Sequence, residues 1–350
     1  MATPSVGSRD GTAERVAFLS DPDSYAEGTG DVEKIETHMA FVFLTDAHAY
    51  KLKKPVRYEF LDFSTLPLRR RTCEDEVRLN RRLAPDVYIG AVPLVRDAAG
   101  ALHIGAVAGA TIVDWLVKMK RLPRDRMLDA VIRAGGPTAR ELESLGALLV
   151  RFYRNAPAER IPPDDYIDRL DADITIDIRE LAERADHLPF DLIRDIGAAL
   201  GRALALNERM LRSRAVRIRE VHGDLRPEHI CLTEPPVIID CLEFRRDFRL
   251  LDPADELAFL GMECERLGAP HIGRVLLRHY RESTGDRLPP GLVEFYGAMR
   301  ALLRGKLAIW HLRNGDPAAG DRWTAAAHEY LRLAARHLGV PITQETATGR

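Results

Sequence analysis

Several features are scarce in this 350-residue sequence, and each scarcity argues against a class of protein. There are four cysteines, Cys73, Cys231, Cys241 and Cys264, with no Cys-x-x-Cys pair and no zinc spacing. That speaks against a disulfide scaffold or a structural zinc site, and leaves reduced thiols in a cytoplasmic protein as the expectation. The longest apolar run, residues 104–113, contains three alanines and two glycines and is too short to cross a bilayer. The first 17 residues have no apolar core of the signal-peptide kind. Charge of neither sign dominates: 51 Lys and Arg face 53 Asp and Glu, a formal net charge of -2, which argues against a general nucleic-acid binder. No nucleic-acid or membrane partner is expected, and oligomeric state is left open. No Gly-x-x-x-x-Gly-Lys-Ser/Thr occurs, so a P-loop nucleotide site is excluded by pattern. Internal repeats and low-complexity segments are also missing.

What is present is an ordinary globular composition, 46% hydrophobic and 30% charged, on a chain long enough for two lobes. Short alternating runs predict strands over residues 32–35, 40–44, 49–53, 87–95, 102–107 and 111–119. One amphipathic helix is expected over 68–83, ending before Pro85. Beyond Pro123 helical periodicity dominates, over 124–134, 138–153, 174–185, 191–214, 254–266, 271–283, 292–314 and 322–337. A strand-rich first third joined to a helical remainder describes a two-lobed chain, with the cleft between lobes as the natural ligand site. The expected boundaries are an N-terminal extension at 1–30, a nucleotide-binding lobe at 31–122, a catalytic and substrate-binding lobe at 123–340 and a flexible tail at 341–350.

The most informative segment is His222-Gly223-Asp224-Leu225, followed sixteen residues after its Asp by Asp240. Between them, Ile230-Cys231-Leu232 and Val237-Ile238-Ile239 flank the turn Thr233-Glu234-Pro235-Pro236, which predicts a β-hairpin. An antiparallel hairpin brings its ends together, so His229 and Asp240 should lie side by side. Two carboxylates and an imidazole near one hairpin mouth suit a divalent metal bridging a polyphosphate. Taken alone, Asp224 reads better as a turn cap and Asp240 as a strand end; the pair at this spacing, with a hairpin between, reverses that preference.

His222-Gly223-Asp224-Leu225-Arg226-Pro227-Glu228-His229, with Ile239-Asp240 after it, resembles the catalytic and metal-binding segments of the aminoglycoside phosphotransferase family. The resemblance implies an α+β, two-lobed protein-kinase-like fold, with a small antiparallel β-sheet lobe and a larger, mainly helical lobe. It implies that Asp224 faces the acceptor hydroxyl and that Asp240 holds Mg²⁺, with Mn²⁺ as a substitute. His229 stands where the family has Asn, at the second metal position, and imidazole is a softer ligand than Mg²⁺ prefers.

Ala49-Tyr50-Lys51 resembles the Val-Ala-Ile-Lys strand whose lysine meets the nucleotide phosphates and pairs with a helix glutamate. Glu76 is the matching acid, with Glu74 and Asp75 as alternatives; Lys53 shares a strand face with Lys51 and competes for the role. Thr37 and His38, in Glu36-Thr37-His38-Met39, occupy the place of a Gly-rich loop, as phosphate donors or as turn residues. Lys118-Met119-Lys120-Arg121-Leu122 falls where the adenine-contacting hinge should be, with backbone groups from Met119 onward pairing with the base. Leu251-Asp252-Pro253-Ala254-Asp255-Glu256-Leu257-Ala258 is similar to the family's Asp-Pro-x-x-Asp-Leu-Ala segment, where Asp255 is assigned a structural role at a helix start and Glu243 is an open candidate for metal or substrate. Arg69-Arg70-Arg71 with Arg81-Arg82 is expected to be a solvated helix face.

The segments Phe60-Leu61-Asp62-Phe63-Ser64-Thr65-Leu66 and Arg78-Leu79-Asn80-Arg81-Arg82-Leu83-Ala84-Pro85 look like an uncharacterised bacterial branch of the family, some of whose members carry an additional P-loop ATPase domain. The implied activity is ATP-dependent transfer of a γ-phosphoryl group to a small-molecule hydroxyl of aminoglycoside, sugar or amino alcohol type. The alternative is a nucleotide-binding pseudokinase that senses or scaffolds. A protein kinase ranks last, because the segment between Asp240 and Asp255 is short.

Overall fold

Alternating apolar residues build a six-stranded antiparallel sheet in the computed structural model, which describes residues 10–58, 60–183, 188–312 and 317–342. The sheet runs β1 (Glu33–Glu36), β2 (Ala40–Leu44), β3 (His48–Lys53), then β8 (Thr111–Lys120), β6 (Tyr88–Arg96) and β7 (Leu102–Ile104). The small hairpin β4 (Arg57–Tyr58) and β5 (Leu61–Asp62) precedes the first long helix.

Each face of the sheet carries its own core. On one face α2 (Leu66–Asn80) packs Cys73 and Val77 against Ala49, Tyr88, Val117 and Met119. Thr65 caps this helix by accepting from the Leu68 amide, and Pro67 fits its first turn. On the other face α1 (Asp10–Ser20) brings Leu19 beside Phe43, Tyr50, Leu52, Leu94 and Leu116. That helix lies within residues expected to be a plain extension. Asp114, buried in β8, joins the two faces by accepting from Arg15 of α1 and from Arg69 of α2, both at 2.7 Å. Arg69 is therefore no solvated cation, unlike Arg70 and Arg71, which pair with Glu74 and Asp75 along the exposed helix.

The residues up to Met127 group with His229–Arg249 in one compact unit. The hairpin β10 (Ile230–Cys231) and β11 (Val237–Ile238) thus belongs with the sheet, and a single boundary at residue 122 misses this. The second unit, Leu128–Glu228 and the residues from Leu250 on, is helical. It holds α3 (Leu128–Arg133), α4 (Ala139–Asn155), α5 (Pro163–Ala182), α6 (Phe190–Arg214), α7 (Pro253–Arg266), α8 (Pro270–Thr284), α9 (Pro290–Leu312) and α10 (Pro317–Leu338). A two-residue pairing of β9 (Arg219–Glu220) with β12 (Leu250–Leu251) completes it. All eight expected helices of this region are present, although α5 starts eleven residues before the expected 174; the expected ends at Ala185 and Asn314 lie outside the described residues.

Arg214, at the end of α6, is the polar anchor of this unit. Its guanidinium donates to both oxygens of Asp252, at 2.6 and 2.8 Å, and to both of Asp286, at 2.7 and 2.8 Å. Tyr296 and Tyr280 complete the satisfaction of the two buried acids, at 3.1 and 3.2 Å. Removing the cation leaves two carboxylates buried without their partner. Arg214→Met should therefore lower unfolding stability by about 3–5 kcal/mol, read from urea denaturation. A loss below about 1 kcal/mol would show that the network is dispensable.

Candidate active site

The hairpin does what its sequence pattern implied. Ile230 faces Ile238, and the Ile239 amide donates to the His229 carbonyl at 2.9 Å. His229 Nε2 then lies 3.5 Å from an Asp240 carboxylate oxygen. Directly after β11 the backbone of Asp240 enters the left-handed region at φ 63°, where an Asp is tolerated but strained. Neighbours hold it there. The Asp240 amide donates to the Tyr88 hydroxyl at 3.1 Å, and the Cys241 amide donates to the Asn80 side chain at 2.9 Å.

The two lysines of β3 project toward α2 and divide one carboxylate between them. Lys51 Nζ donates to Glu76 Oε1 at 3.0 Å and to Asp240 Oδ1 at 2.7 Å. Lys53 Nζ donates to Glu76 Oε2 at 2.6 Å and to Glu243 Oε1 at 2.5 Å. Burial works against both ammonium groups. For Lys51 the Asp240, Glu76 and Glu243 carboxylates outweigh it and hold the pKa well above its ordinary value; for Lys53, Glu243 and Glu76 do the same. Burial likewise opposes ionisation of Glu76, and the two lysines reverse that and keep it low. Only 1% of the Lys53 side chain is exposed and 16% of Lys51, so Lys51 is the one with an open flank. Glu243 is committed to Lys53 and serves as its counterion.

Other expected residues have definite places. The Thr37 hydroxyl both donates to the Ala40 carbonyl and accepts from the Ala40 amide at 3.0 Å, so it closes the β1–β2 turn and is spent there. His38 is half-buried beside Lys54, and burial followed by that charge lowers its pKa, favouring neutral imidazole. Met119 is a core residue of the sheet, and the next two amides are used: Lys120 donates to Val87 and Arg121 to Ala47, each at 2.9 Å. A hinge that pairs with a base through those two amides is ruled out. The Met119 side chain instead belongs to the buried core with Ala49, against which Val42, Leu122 and Ile239 pack.

In the helical unit, Gly223 has φ 89°, a conformation a side chain would strain, and delivers Asp224 to a half-buried position. Beneath this turn lies a fully buried acid. Glu256 Oε1 accepts from the His222 amide at 2.9 Å and the Gly223 amide at 2.7 Å. Asp255 has its expected structural place in the first turn of α7, where it forms a two-point pair with Arg300 at 2.7 and 2.5 Å, and Asp252 caps the helix. Counting Asp-Pro-x-x-Asp from Asp252 lands on Glu256; the register of that pattern was misread by one residue. Arg226 was also missed: its Nε donates to Asp224 Oδ2 at 3.1 Å and lies 3.1 Å from Oδ1.

No trio of metal-type side chains is gathered among the described residues. Asp240 with His229 makes a two-donor set, with 44% of the Asp240 side chain exposed, which fits an ion drawing its remaining ligands from phosphate and water.

No protein-family model matches the chain. Uncharacterized proteins of Mycobacterium tuberculosis and Mycobacterium bovis are 33% identical over 308 residues, covering 87% of this chain. The chain spans 59% of the length of these relatives. Among solved structures, the GDP and kanamycin complex of APH(2″)-IIIa superposes with a TM-score of 0.55 at 14% identity, covering 93% of this chain and 99% of that one. A choline/ethanolamine kinase family protein from Mesorhizobium loti gives 0.50 at 18% identity, over 94% and 98%.

The fold is that of the aminoglycoside phosphotransferases.

Within this kinase-like fold, Glu256 sets a pH dependence. Burial raises its carboxyl pKa to about 7, and the Gly223 amide, Tyr153 and Arg300 only partly oppose that. Its second oxygen and the Tyr153 hydroxyl are neighbours, yet neither completes a hydrogen bond. A carboxyl raised in the folded state binds its proton more tightly there than in the unfolded chain, so its contribution is full below about pH 4.5 and fades as pH rises through 7. Glu256→Gln should flatten this, on the order of 3 kcal/mol between pH 5 and 8, in urea midpoints compared with wild type. Parallel pH profiles would mean that Glu256 is ionised throughout.

Proposed function

We propose that the chain is a metal- and ATP-dependent phosphotransferase acting on an alcohol of a small molecule. The observation that carries this reading is Lys51 Nζ spanning Glu76 at 3.0 Å and Asp240 at 2.7 Å. A cation held between a helix acid and a metal-type acid is the arrangement a nucleotide triphosphate with its divalent ion requires. Val42, Leu122 and Ile239, only partly buried where they pack on the core residues Ala49 and Met119, would be the apolar residues for a planar base to meet. Asp240, with His229 beside it, would hold Mg²⁺ or Mn²⁺, which neutralises charge on the β- and γ-phosphate oxygens. Lys51 would bind the phosphates, and Glu76 keeps its ammonium in place. Asp224 would accept the proton of the acceptor hydroxyl as its oxygen bonds to the γ-phosphorus, while the bond to the bridging oxygen breaks and the diphosphate departs.

Two kinds of variant test the assignment. Lys51→Ala should weaken ATP by about 10- to 100-fold, the worth of a charge-assisted bond. Lys53→Ala should mainly lower stability, because it strands Glu243 and half of Glu76. Isothermal titration and urea melts separate the two effects, with GTP as a second arm because solved structures of this fold hold GDP. An equal or larger affinity loss at Lys53 sinks the assignment. Asp240→Asn should abolish metal-dependent binding, whereas Asp224→Asn should leave binding within about twofold and remove turnover.

One observation favours a second reading, a nucleotide-binding pseudokinase: His229 beside Asp240 supplies an imidazole at a metal position. His229→Asn should shift the metal preference from Mn²⁺ toward Mg²⁺ in nucleotide titrations. Nucleotide binding without phosphoryl transfer to any acceptor, with both metals, would decide for the pseudokinase.

A further inference from the structure

The rotation of α2 matters because its buried face carries Glu76. Arg69, Glu76 and Asn80 lie on that face, 5%, 0% and 1% exposed. Steps of seven and four residues put the three on one stripe of the helix. Each grips a different part of the sheet unit. Arg69 Nε donates to Asp114 of β8 at 2.7 Å, and a terminal amino group of the same side chain donates to the Phe63 carbonyl at 3.0 Å. Glu76 accepts from Lys51 at 3.0 Å and from Lys53 at 2.6 Å, both on β3, and Asn80 accepts from the Cys241 amide at 2.9 Å. Apolar contacts such as those of Cys73 and Val77 are non-directional and tolerate a small turn of the helix, whereas hydrogen bonds weaken steeply as their angles change. The three polar anchors therefore set the rotation of α2.

The first anchor is shared with α1, which packs on the opposite face of the sheet. Asp114 is 1% exposed. Its Oδ1 accepts from Arg69 and from the Trp115 amide at 2.9 Å, and its Oδ2 accepts from Arg15 of α1 at 2.7 Å. Arg15 also donates to the Val113 carbonyl at 3.1 Å, so helix and strand meet at two points. Without Arg15, Oδ2 is a buried oxygen lacking a donor, which costs more than the bond itself contributed. Arg69 is then the remaining cation on that acid among the described residues. A carboxylate that turns to offer a guanidinium both oxygens gains a two-point pair. That turn shifts the Arg69 end of α2, and the two helical turns between Arg69 and Glu76 pass the shift on.

We infer that Arg15 is a positioning residue for Lys51: α1 docks on the sheet, Arg15 fixes Asp114, Asp114 fixes Arg69, and α2 delivers Glu76 to the lysine. Helix α1 is thus a clamp on the site from the far side of the sheet, and docking of α1 and ligand binding at Lys51 strengthen each other. The inference rests on the phosphotransferase reading only for the identity of that ligand as a nucleotide; the hold on Lys51 stands on contacts within the sheet unit.

The full chain offers two readouts, one without nucleotide and one with it. Acylation of each lysine by an N-hydroxysuccinimide ester of acetate, followed in digested peptides by mass spectrometry, reports how firmly Lys51 is held. Isothermal titration with ATP and Mg²⁺ reports what the site binds. Arg15→Met should raise the Lys51 rate and weaken ATP, each by about 5- to 20-fold, while exposed Lys120 reacts at its wild-type rate. Arg15→Lys, which keeps a cation for Asp114, should bring both values back to within about threefold of wild type. In a Lys51→Ala background, Arg15→Met should weaken ATP by less than about twofold more, because the coupling has lost its far end. Should Arg15→Met not fold, Asp114→Asn carries the same test from the other side of the contact. A lower urea midpoint with Lys51 reactivity and ATP affinity unchanged would reduce Arg15 to a stabilising residue and overturn the inference. Lys120 accelerating as much as Lys51 would report general loosening and overturn it too. Raised Lys51 reactivity in the variant, with no ATP binding even by wild type, would leave the clamp standing and defeat the nucleotide reading instead.

Discussion

Glu76 is the constraint on which the sheet unit depends. One fully buried carboxylate has two oxygens, and each takes the ammonium of a different lysine on the same strand face. Burying a single charge is prohibitive, and burying an ion pair is rarely a gain over apolar packing. The arrangement is tolerable because each lysine finds a second acid, Asp240 or Glu243, and both acids come from the segment after the hairpin. The helix, the strand and the hairpin segment are thereby tied through one side chain. Apolar packing of Cys73 and Val77 would hold α2 on the sheet without it, but would leave the rotation of the helix and the position of Asp240 unspecified.

A second acid plays the matching part in the helical unit. Glu256 has no lysine, and satisfies one oxygen with two backbone amides of the Gly223 turn. The turn needs a glycine for its positive φ and an acceptor for its orphan amides, and α7 brings that acceptor from 33 residues downstream. Asp224 therefore sits on a turn whose shape is set by an acid that never reaches solvent.

Much of this was legible in residue order, for identifiable reasons. Strand pairing has period two, so a hairpin with a short turn commits its ends, and the approach of His229 to Asp240 followed from counting. Glu76 was legible because only one acid near the end of α2 falls on its buried face; Glu74 and Asp75 point outward to arginines. The choice between Lys51 and Lys53 was not legible, since a strand puts both on one face and only the third dimension says which acid each meets. Arg69 looked like its neighbours Arg70 and Arg71 until Asp114, from a strand 45 residues away, was beside it. Helix α1 was hidden by a polar start and few apolar positions, and its order comes from packing against the sheet. Asp255 has the structural place at a helix start that was expected of it, but Glu256 was overlooked beside it because two adjacent acids fit such a start equally well.

The contact between Lys51 and Asp240 has a thermodynamic consequence. A divalent cation approaching Asp240 meets an ammonium already 2.7 Å from its oxygen, and an anion approaching Lys51 meets that same carboxylate. Either ion arriving alone must give up that contact, and a cation that takes Asp240 leaves Lys51 with Glu76 at 3.0 Å as its remaining acid. A single ligand bringing both signs of charge exchanges one internal pairing for two external ones. Cation and anion should thus bind with positive cooperativity, each raising the affinity for the other by the same factor.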